Sequence, residues 1–144
     1  MKEEMRQKFI EIFGNNRVLF DEPMSQHTTF RIGGPADVFV MPENYEQIRE
    51  VLRLCKEEKL PFFVLGNGSN LLVSDSGYRG VIIQMDRNME EICLDGEEIH
   101  ACAGALLSSV AVAARNASLT GFEFAGGIPG TIGGAAVMDA GAYG

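Results

Sequence analysis

Residues 65–80 read LGNGSNLLVSDSGYRG, and the run Gly66, Asn67, Gly68, Ser69, Asn70 is made of residue types that can hold an anion without a cation. Two glycines free the backbone to turn, so that successive N–H groups can face one point, and such a nest binds phosphate through amides alone. Ser69 and Asn70 can add side-chain donors. Hydrogen bonds to a charged acceptor contribute about 1.5–3 kcal/mol each, so a handful is enough for a diphosphate. Neither standard phosphate cradle fits. No lysine stands where a P-loop has one, and Leu71 occupies the place of the third glycine in a dinucleotide fingerprint. The following LLVSDSG does not read as a helix, so no helix dipole is invoked. The competing reading of these five residues is a plain turn in which Gly66 and Gly68 serve backbone geometry only.

A second glycine-rich stretch closes the sequence: GFEFAGGIPGTIGGAAVMDAGAYG. Eight of these 24 residues are glycine, only Glu123 and Asp139 are charged, and no Lys or Arg follows Arg115. A flexible linker would leave Ile128, Ile132, Val137 and Met138 exposed, so the glycines are better read as letting backbone approach something flat. An amide nest and a flat apolar surface, both without cations, suit a ligand with a diphosphate at one end and a neutral ring at the other. A flavin dinucleotide has that shape. The pattern is still running at Gly144, which reads as a chain that continues in a longer protein.

Composition narrows the field. The chain has 144 residues and a net charge of −8, which argues against a nucleic-acid or anionic-membrane surface, since both need clustered Lys and Arg. MKEEMRQKFIEIF has no apolar h-region, so it does not read as a signal peptide, and no stretch approaches the ~20 apolar residues of a membrane span. Cys55, Cys93 and Cys102 are odd in number and lack CxxC spacing. No metal site is expected from them. They read as buried, reduced thiols of a cytoplasmic protein.

The elements that must position these loops follow from periodicity. Met5, Phe9, Ile12 and Phe13 predict a helix that Gly14 ends. NNRVLFDEPMSQ reads as a turn-rich link. ADVFVMP alternates as a strand, and NYEQIREVLRLCKEEKL is an amphipathic helix capped by Asn44, with Ile48, Val51, Leu52 and Cys55 as its core stripe. PFFVLG reads as a buried strand, GVIIQM as another, and EEICLDGEEIHACAG as a hairpin turning at Asp95 and Gly96. LLSSVAVAARNASLTG predicts a helix stopped near Gly121. Mixed elements with an antiparallel second half indicate an α+β fold.

Three motifs, HTTFRIGGPAD, LGNGSNLLVSDSGYRGVII and GFEFAGGIPGTIGGAAVMDAGAYG, occur in this order and at similar separations in one family. Over residues 25–144 the chain resembles the N-terminal half of the UDP-N-acetylenolpyruvoylglucosamine reductase (MurB) family. The resemblance implies the FAD-binding fold of the vanillyl-alcohol oxidase and p-cresol methylhydroxylase type, with two small α+β subdomains. It implies an N-terminal helix and link at 1–24, a first subdomain at about 25–80, a second from about 81, and no substrate domain within these residues. It also implies cofactor-binding roles. Gly66, Asn67, Gly68, Ser69, Asn70 and Leu71 would hold the pyrophosphate. Gly104 and Ala105, with Gly127, Ile128, Pro129, Gly130, Thr131, Gly133, Gly134 and Ala135, would line the adenosine and isoalloxazine portions. The implied reaction reduces the enolpyruvyl group of the UDP-sugar to UDP-N-acetylmuramate, with NADPH as co-substrate. No catalytic residue is assigned here, because the family's Arg, Glu and Ser or Cys fall beyond residue 144.

Some residues stand outside these roles. Tyr78-Arg79 only mimics the family's catalytic Tyr-Arg segment, being followed by Gly80 and Val81. Asp139 replaces the family's usual Asn, and a carboxylate near the flavin would disfavour an anionic reduced ring. His27 and His100 are expected to be structural or exposed, and Glu57-Glu58 and Glu97-Glu98 to be solvated faces. Arg31 is open between a phosphate contact and a surface role. Another flavoprotein of the same fold, or a non-catalytic nucleotide-binding module, remain the alternative readings.

Overall fold

The computed structural model describes residues 2–85 and 89–142, arranged in two compact units, 1–85 and 86–144. In the first unit, α1 (Glu3–Phe13), β1 (Val18–Pro23), β2 (Pro35–Val40), α2 (Tyr45–Glu57), β3 (Phe62–Leu65) and β4 (Tyr78–Gln84) follow in order. The sheet order is β1-β2-β4-β3; β1 is antiparallel to β2, whereas β2, β4 and β3 run parallel.

Helix boundaries here follow the predicted signals. The Gly14 amide donates to the Ile10 carbonyl at 2.7 Å and ends α1. The Asn44 side chain accepts from the Gln47 amide at 3.0 Å and starts α2. The buried stripe of α2 is Val51, Leu54 and Cys55, with Ile48 and Leu52 half-buried at its margin.

Both faces of the central strands are covered. Phe9, Phe13, Val51, Leu54 and Cys55 of the two helices pack with Val38, Val40, Val81 and Ile83. On the opposite side, Met24 and Leu65 pack with Ala36, Phe39 and Ile82. Strands buried on two faces read as near-continuous apolar runs, as VFV and VII do here.

Two expectations for this unit are corrected. The supposed link at 15–26 contains β1, whose Val18, Leu19 and Phe20 pair with Val40, Phe39 and Val38. The flanking Asn and Pro residues masked a short apolar run that long-range pairing turned into a strand. PFFVLG is a strand but not a buried one. β3 lies at the sheet edge, and Phe62, Phe63 and Val64 are exposed while only Leu65 is buried.

The second unit holds β5 (Ile92–Asp95) and β6 (Glu98–Ala101), the predicted hairpin, with Gly96 in its turn. α3 (Leu107–Asn116) ends earlier than expected. Ser118 takes a left-handed conformation and the Leu119 amide donates to Ala114 at 2.9 Å, closing the helix locally before Gly121 is reached. The glycine-rich tail carries a 3₁₀ turn (Glu123–Gly127) and a short helix, α4 (Ile132–Met138), where no helix was predicted. Val137 and Met138 are exposed on it, so their apolarity alone did not bury them. Its last residues, 143–144, lie outside the described residues. The division between units follows Met85, a few residues after the expected boundary, because β4 is hydrogen-bonded on both edges within the first sheet.

The cysteines also need correction: Cys55 is buried, Cys102 is half-buried and Cys93 is exposed on the hairpin. Burial pushes the Cys55 thiol up to about 11 from its ordinary 9.0. The unfolded chain therefore ionises this thiol above pH 9, while the folded chain keeps its proton to about pH 11. This contribution to stability is full below pH 9 and is lost between pH 9 and about 11, as the unfolded state sheds its proton first. Urea unfolding across that range is expected to show a shallower alkaline decline in Cys55→Ala than in the parent chain. Equal slopes would show that the thiol does not titrate differently in the two states.

Candidate functional site: two glycine-rich segments

The first segment leaves the end of β3. Leu65 closes the ladder, its carbonyl accepting from the Met85 amide at 2.8 Å, and residues 66–70 then turn away from the sheet. Gly68 is buried with φ +69°. A Cβ at that position would lie 2.0 Å from the His27 carbonyl oxygen and 3.2 Å from the Thr28 Cα, so only glycine fits. The Gly68 carbonyl accepts from the Thr29 amide at 3.0 Å, which docks the loop on residues 27–29.

The amides of Asn67, Gly68 and Asn70 have no acceptor among the described residues. For the buried Gly68 amide this is unusual, because buried backbone donors are almost always paired. Asn67 and Asn70 are exposed, Ser69 is half-buried, and Leu71 packs against the second-face core. An unpaired buried amide beside further unpaired amides and a hydroxyl is the donor set that an oxyanion requires, and it fits a diphosphate. At Gly68 the glycine is required by the geometry of the turn itself, and the turn leaves donors over.

In the second unit, the structure brings the other two predicted stretches together. The Ile132 amide donates to the Ala105 carbonyl and the Gly133 amide to the Ala103 carbonyl, both at 2.8 Å. The Leu107 amide donates to the Gly130 carbonyl at 3.0 Å, and Leu106 forms an antiparallel bridge with Thr131. Gly104 and Ala105 are held in turn by Met89 and Cys102 carbonyls. Thr131 is buried, and its hydroxyl accepts from the Gly134 amide at 3.2 Å, capping α4.

The tail's glycines do not all have one purpose. A Cβ on Gly133 would meet the Ala103 Cβ at 2.9 Å, so its bareness serves packing within the chain. A Cβ on Gly127 would meet nothing within 4 Å, leaving that backbone open. Ile128 and Ala135 are half-buried, and Pro129 is exposed.

Asp139 has a local explanation. It ends α4 at φ 49°, ψ 49°, with its amide and that of Ala140 both donating to Ala135. Asn and Asp are the side chains that best tolerate this left-handed conformation, so Asp in place of Asn preserves the helix stop.

Arg79 hydrogen-bonds the Pro35 carbonyl and pairs with Asp37 at 2.9 Å, tying β4 to β2. His100 is exposed beside Glu98 on the hairpin. Arg31 is exposed in a left-handed conformation. No group of His, Cys, Asp and Glu among the described residues is arranged to hold a metal ion. Sequence reasoning missed residues 27–29 as the seat of the loop. Their only signal was the HTT of the first motif, which no periodicity explains.

A family described as FAD binding domain matches residues 36–144. The chain belongs to that family. FAD is accordingly its cofactor, and the donor set at residues 67–70 is compatible with it. The chain is 50% identical over 143 residues to the UDP-N-acetylenolpyruvoylglucosamine reductase of Alkaliphilus metalliredigens (strain QYMF), covering 99% of this chain and 47% of that protein. It is 48% identical to the enzyme of the same name from Caldanaerobacter subterraneus subsp. tengcongensis, covering 100% and 47%. The chain thus spans about half the length of the curated relatives it matches. Among solved structures, the MurB enzyme of Thermus caldophilus superposes with TM-score 0.67 at 34% identity, over 87% of this chain and 42% of that one. p-Cresol methylhydroxylase superposes with TM-score 0.61 at 20% identity, over 81% and 25%, a likeness of fold alone. The sequence resemblance to the reductase family and the expected α+β FAD-binding fold are both borne out.

Replacing Gly68 by alanine is expected to destabilise the first unit by at least about 1–2 kcal/mol, from the left-handed conformation alone. The encounter with the His27 carbonyl adds to that. Urea unfolding of Gly68→Ala measures it, and an unchanged midpoint would show that the loop relaxes freely.

Proposed function

We propose that this chain is the FAD-holding part of an NADPH-dependent reductase that converts UDP-N-acetylenolpyruvoylglucosamine to UDP-N-acetylmuramate in peptidoglycan synthesis. The observation that carries the reading is the set of amides of Asn67, Gly68 and Asn70 without an acceptor among the described residues, in a chain about half identical over nearly its whole length to proteins of that name.

In this reading, the amides of Asn67, Gly68 and Asn70 donate to the FAD diphosphate, helped by the Ser69 hydroxyl and the Asn70 side chain. Preorganisation is what makes them effective. The loop is fixed before the cofactor arrives, so its donors need not be ordered on binding. The absence of a nearby lysine leaves hydrogen bonding as the main attraction. Gly104, Ala105 and residues 127–135 line the adenosine and ring portions; Gly127 supplies open backbone, whereas Gly133 and Thr131 hold that lining in place. Bound FAD supplies two-electron hydride chemistry between NADPH and the enolpyruvyl double bond.

Protonation of the adjacent carbon and stabilisation of charge at the substrate carboxylate require a general acid and cationic or acidic partners. Arg79 does not qualify, since Asp37 and the Pro35 carbonyl engage it. We place those groups, and the binding of the UDP moiety, in polypeptide equivalent to the other half of the longer relatives. A reaction fed by a nucleotide sugar and NADPH fits a cytoplasmic protein serving cell-wall growth, cell shape and division. Among the described residues no helix is long and apolar enough to cross a membrane.

Changing Ser69 and Asn70 together to alanine is expected to weaken FAD binding by about 2–4 kcal/mol, the scale of two charge-assisted hydrogen bonds. Titration calorimetry with FAD reads this directly, and an unaltered affinity would remove the loop from the cofactor site.

Residues 1–144 loaded with FAD are expected to show no UDP-sugar-dependent oxidation of NADPH when absorbance at about 340 nm is followed, because substrate positioning contributes several kcal/mol to such catalysis. Turnover that responds to the UDP-sugar would place the chemistry within these residues instead.

A further inference from the structure

His27 has no part in the chemistry above, yet it is the most constrained polar side chain beside the glycine loop. Its Nε2 lies 2.8 Å from the Glu22 Oε1, and each side chain is only 17% exposed. Its ring stacks on Phe39, with centroids 4.0 Å apart and planes at 29°, and Phe39 is fully buried near the C-terminal end of β2. Its amide donates to the Met24 carbonyl at 2.9 Å, and Met24 is also fully buried. The ring is thus clamped by a carboxylate from β1 and a phenyl from β2, two adjacent strands of one sheet.

The backbone of the same residue carries the loop. The His27 carbonyl lies so close to Gly68 that no Cβ could stand between them, and two residues on the Thr29 amide donates to the Gly68 carbonyl. Thr28, itself buried, closes the following turn through its hydroxyl on the Ile32 carbonyl at 3.1 Å. With no slack at Gly68, a shift of the His27 backbone is passed to the Gly68 amide, one of the unpaired donors.

We propose that His27, clamped by Glu22, is a positioning residue for the diphosphate donors of residues 67–70. The pair sets cofactor affinity without touching the cofactor. The inference rests on the reading that this loop holds the FAD diphosphate.

The test measures affinity for FAD and for riboflavin, which lacks the diphosphate, in the parent chain and in His27→Ala, Glu22→Gln and Ser69→Ala/Asn70→Ala variants. Thermal unfolding of each cofactor-free protein is recorded beside it. His27→Ala is expected to weaken FAD about tenfold or more, in line with the sensitivity of bound geometry to small displacements. Glu22→Gln, which keeps the volume and a hydrogen bond to the imidazole, is expected to weaken it less, with riboflavin affinity unchanged in both. If His27→Ala does not fold, the FAD-to-riboflavin ratio of Glu22→Gln decides.

Unchanged FAD affinity at His27 and Glu22, with a loss in the Ser69/Asn70 variant, would overturn the positioning role and leave the loop assignment standing. Equal losses for FAD and riboflavin would reduce His27 to a structural residue. No FAD binding by the parent chain, or none lost in the Ser69/Asn70 variant, would overturn the loop assignment and this inference with it.

Discussion

Strand β2 is covered on both faces, and the rest of the first unit depends on that. Helices α1 and α2 occupy one side, where Val38 and Val40 meet Phe9, Val51 and Cys55. The other side cannot be left to water, and the short segment from Met24 to residue 29 folds down onto Phe39 to cover it. Once that segment is pinned, the position of the glycine loop follows. The His27 carbonyl and the Thr29 amide fix Gly68 from below, and the loop's spare amides are left at the end of the parallel strands. Ligand sites in sheets with parallel strands gather at such strand ends because the loops there are held by buried elements but are not part of them.

Glycine is needed in the two segments for different physical reasons. At Gly68 it is a meeting of backbone with backbone inside the chain, combined with a left-handed φ. At Gly133 it is the approach of a helix to the Ala103 segment. At Gly127 and Gly141, by contrast, a Cβ would meet nothing within 4 Å, which is open space of the kind a flat ligand could use. A glycine-rich composition therefore does not by itself measure how much backbone faces a cofactor. Part of it is consumed in making the fold tight enough to hold the remaining donors still.

The second unit shows the same economy on a smaller scale. Three backbone hydrogen bonds and one bridge join residues 103–107 to 130–133, and the capped Thr131 is buried between them. The two stretches are far apart in composition, one alanine-rich and one glycine-rich. Where they approach most closely, at Ala103 and Gly133, neither side chain is large enough to keep the two backbones apart.

The sequence by itself determined the elements whose signals are local. Helices α1 and α2 were legible from apolar spacing and from Gly14 and Asn44 at their ends, and the hairpin from Asp95-Gly96 between alternating runs. The donor-rich character of residues 66–70 was equally visible, because it rests on residue type and adjacency. Tertiary structure alone decided the rest. β1 became a strand only through its pairing with β2, and β3 became exposed only because the sheet ends there. That the turn itself demands glycine at position 68 could not be read within five residues, since the atoms that demand it belong to His27 and Thr28, forty residues earlier in the chain. Periodicity reports what a residue does relative to its neighbours in sequence. Close approach between distant backbones leaves no periodic trace, so it is the part of this protein that only the folded chain reveals.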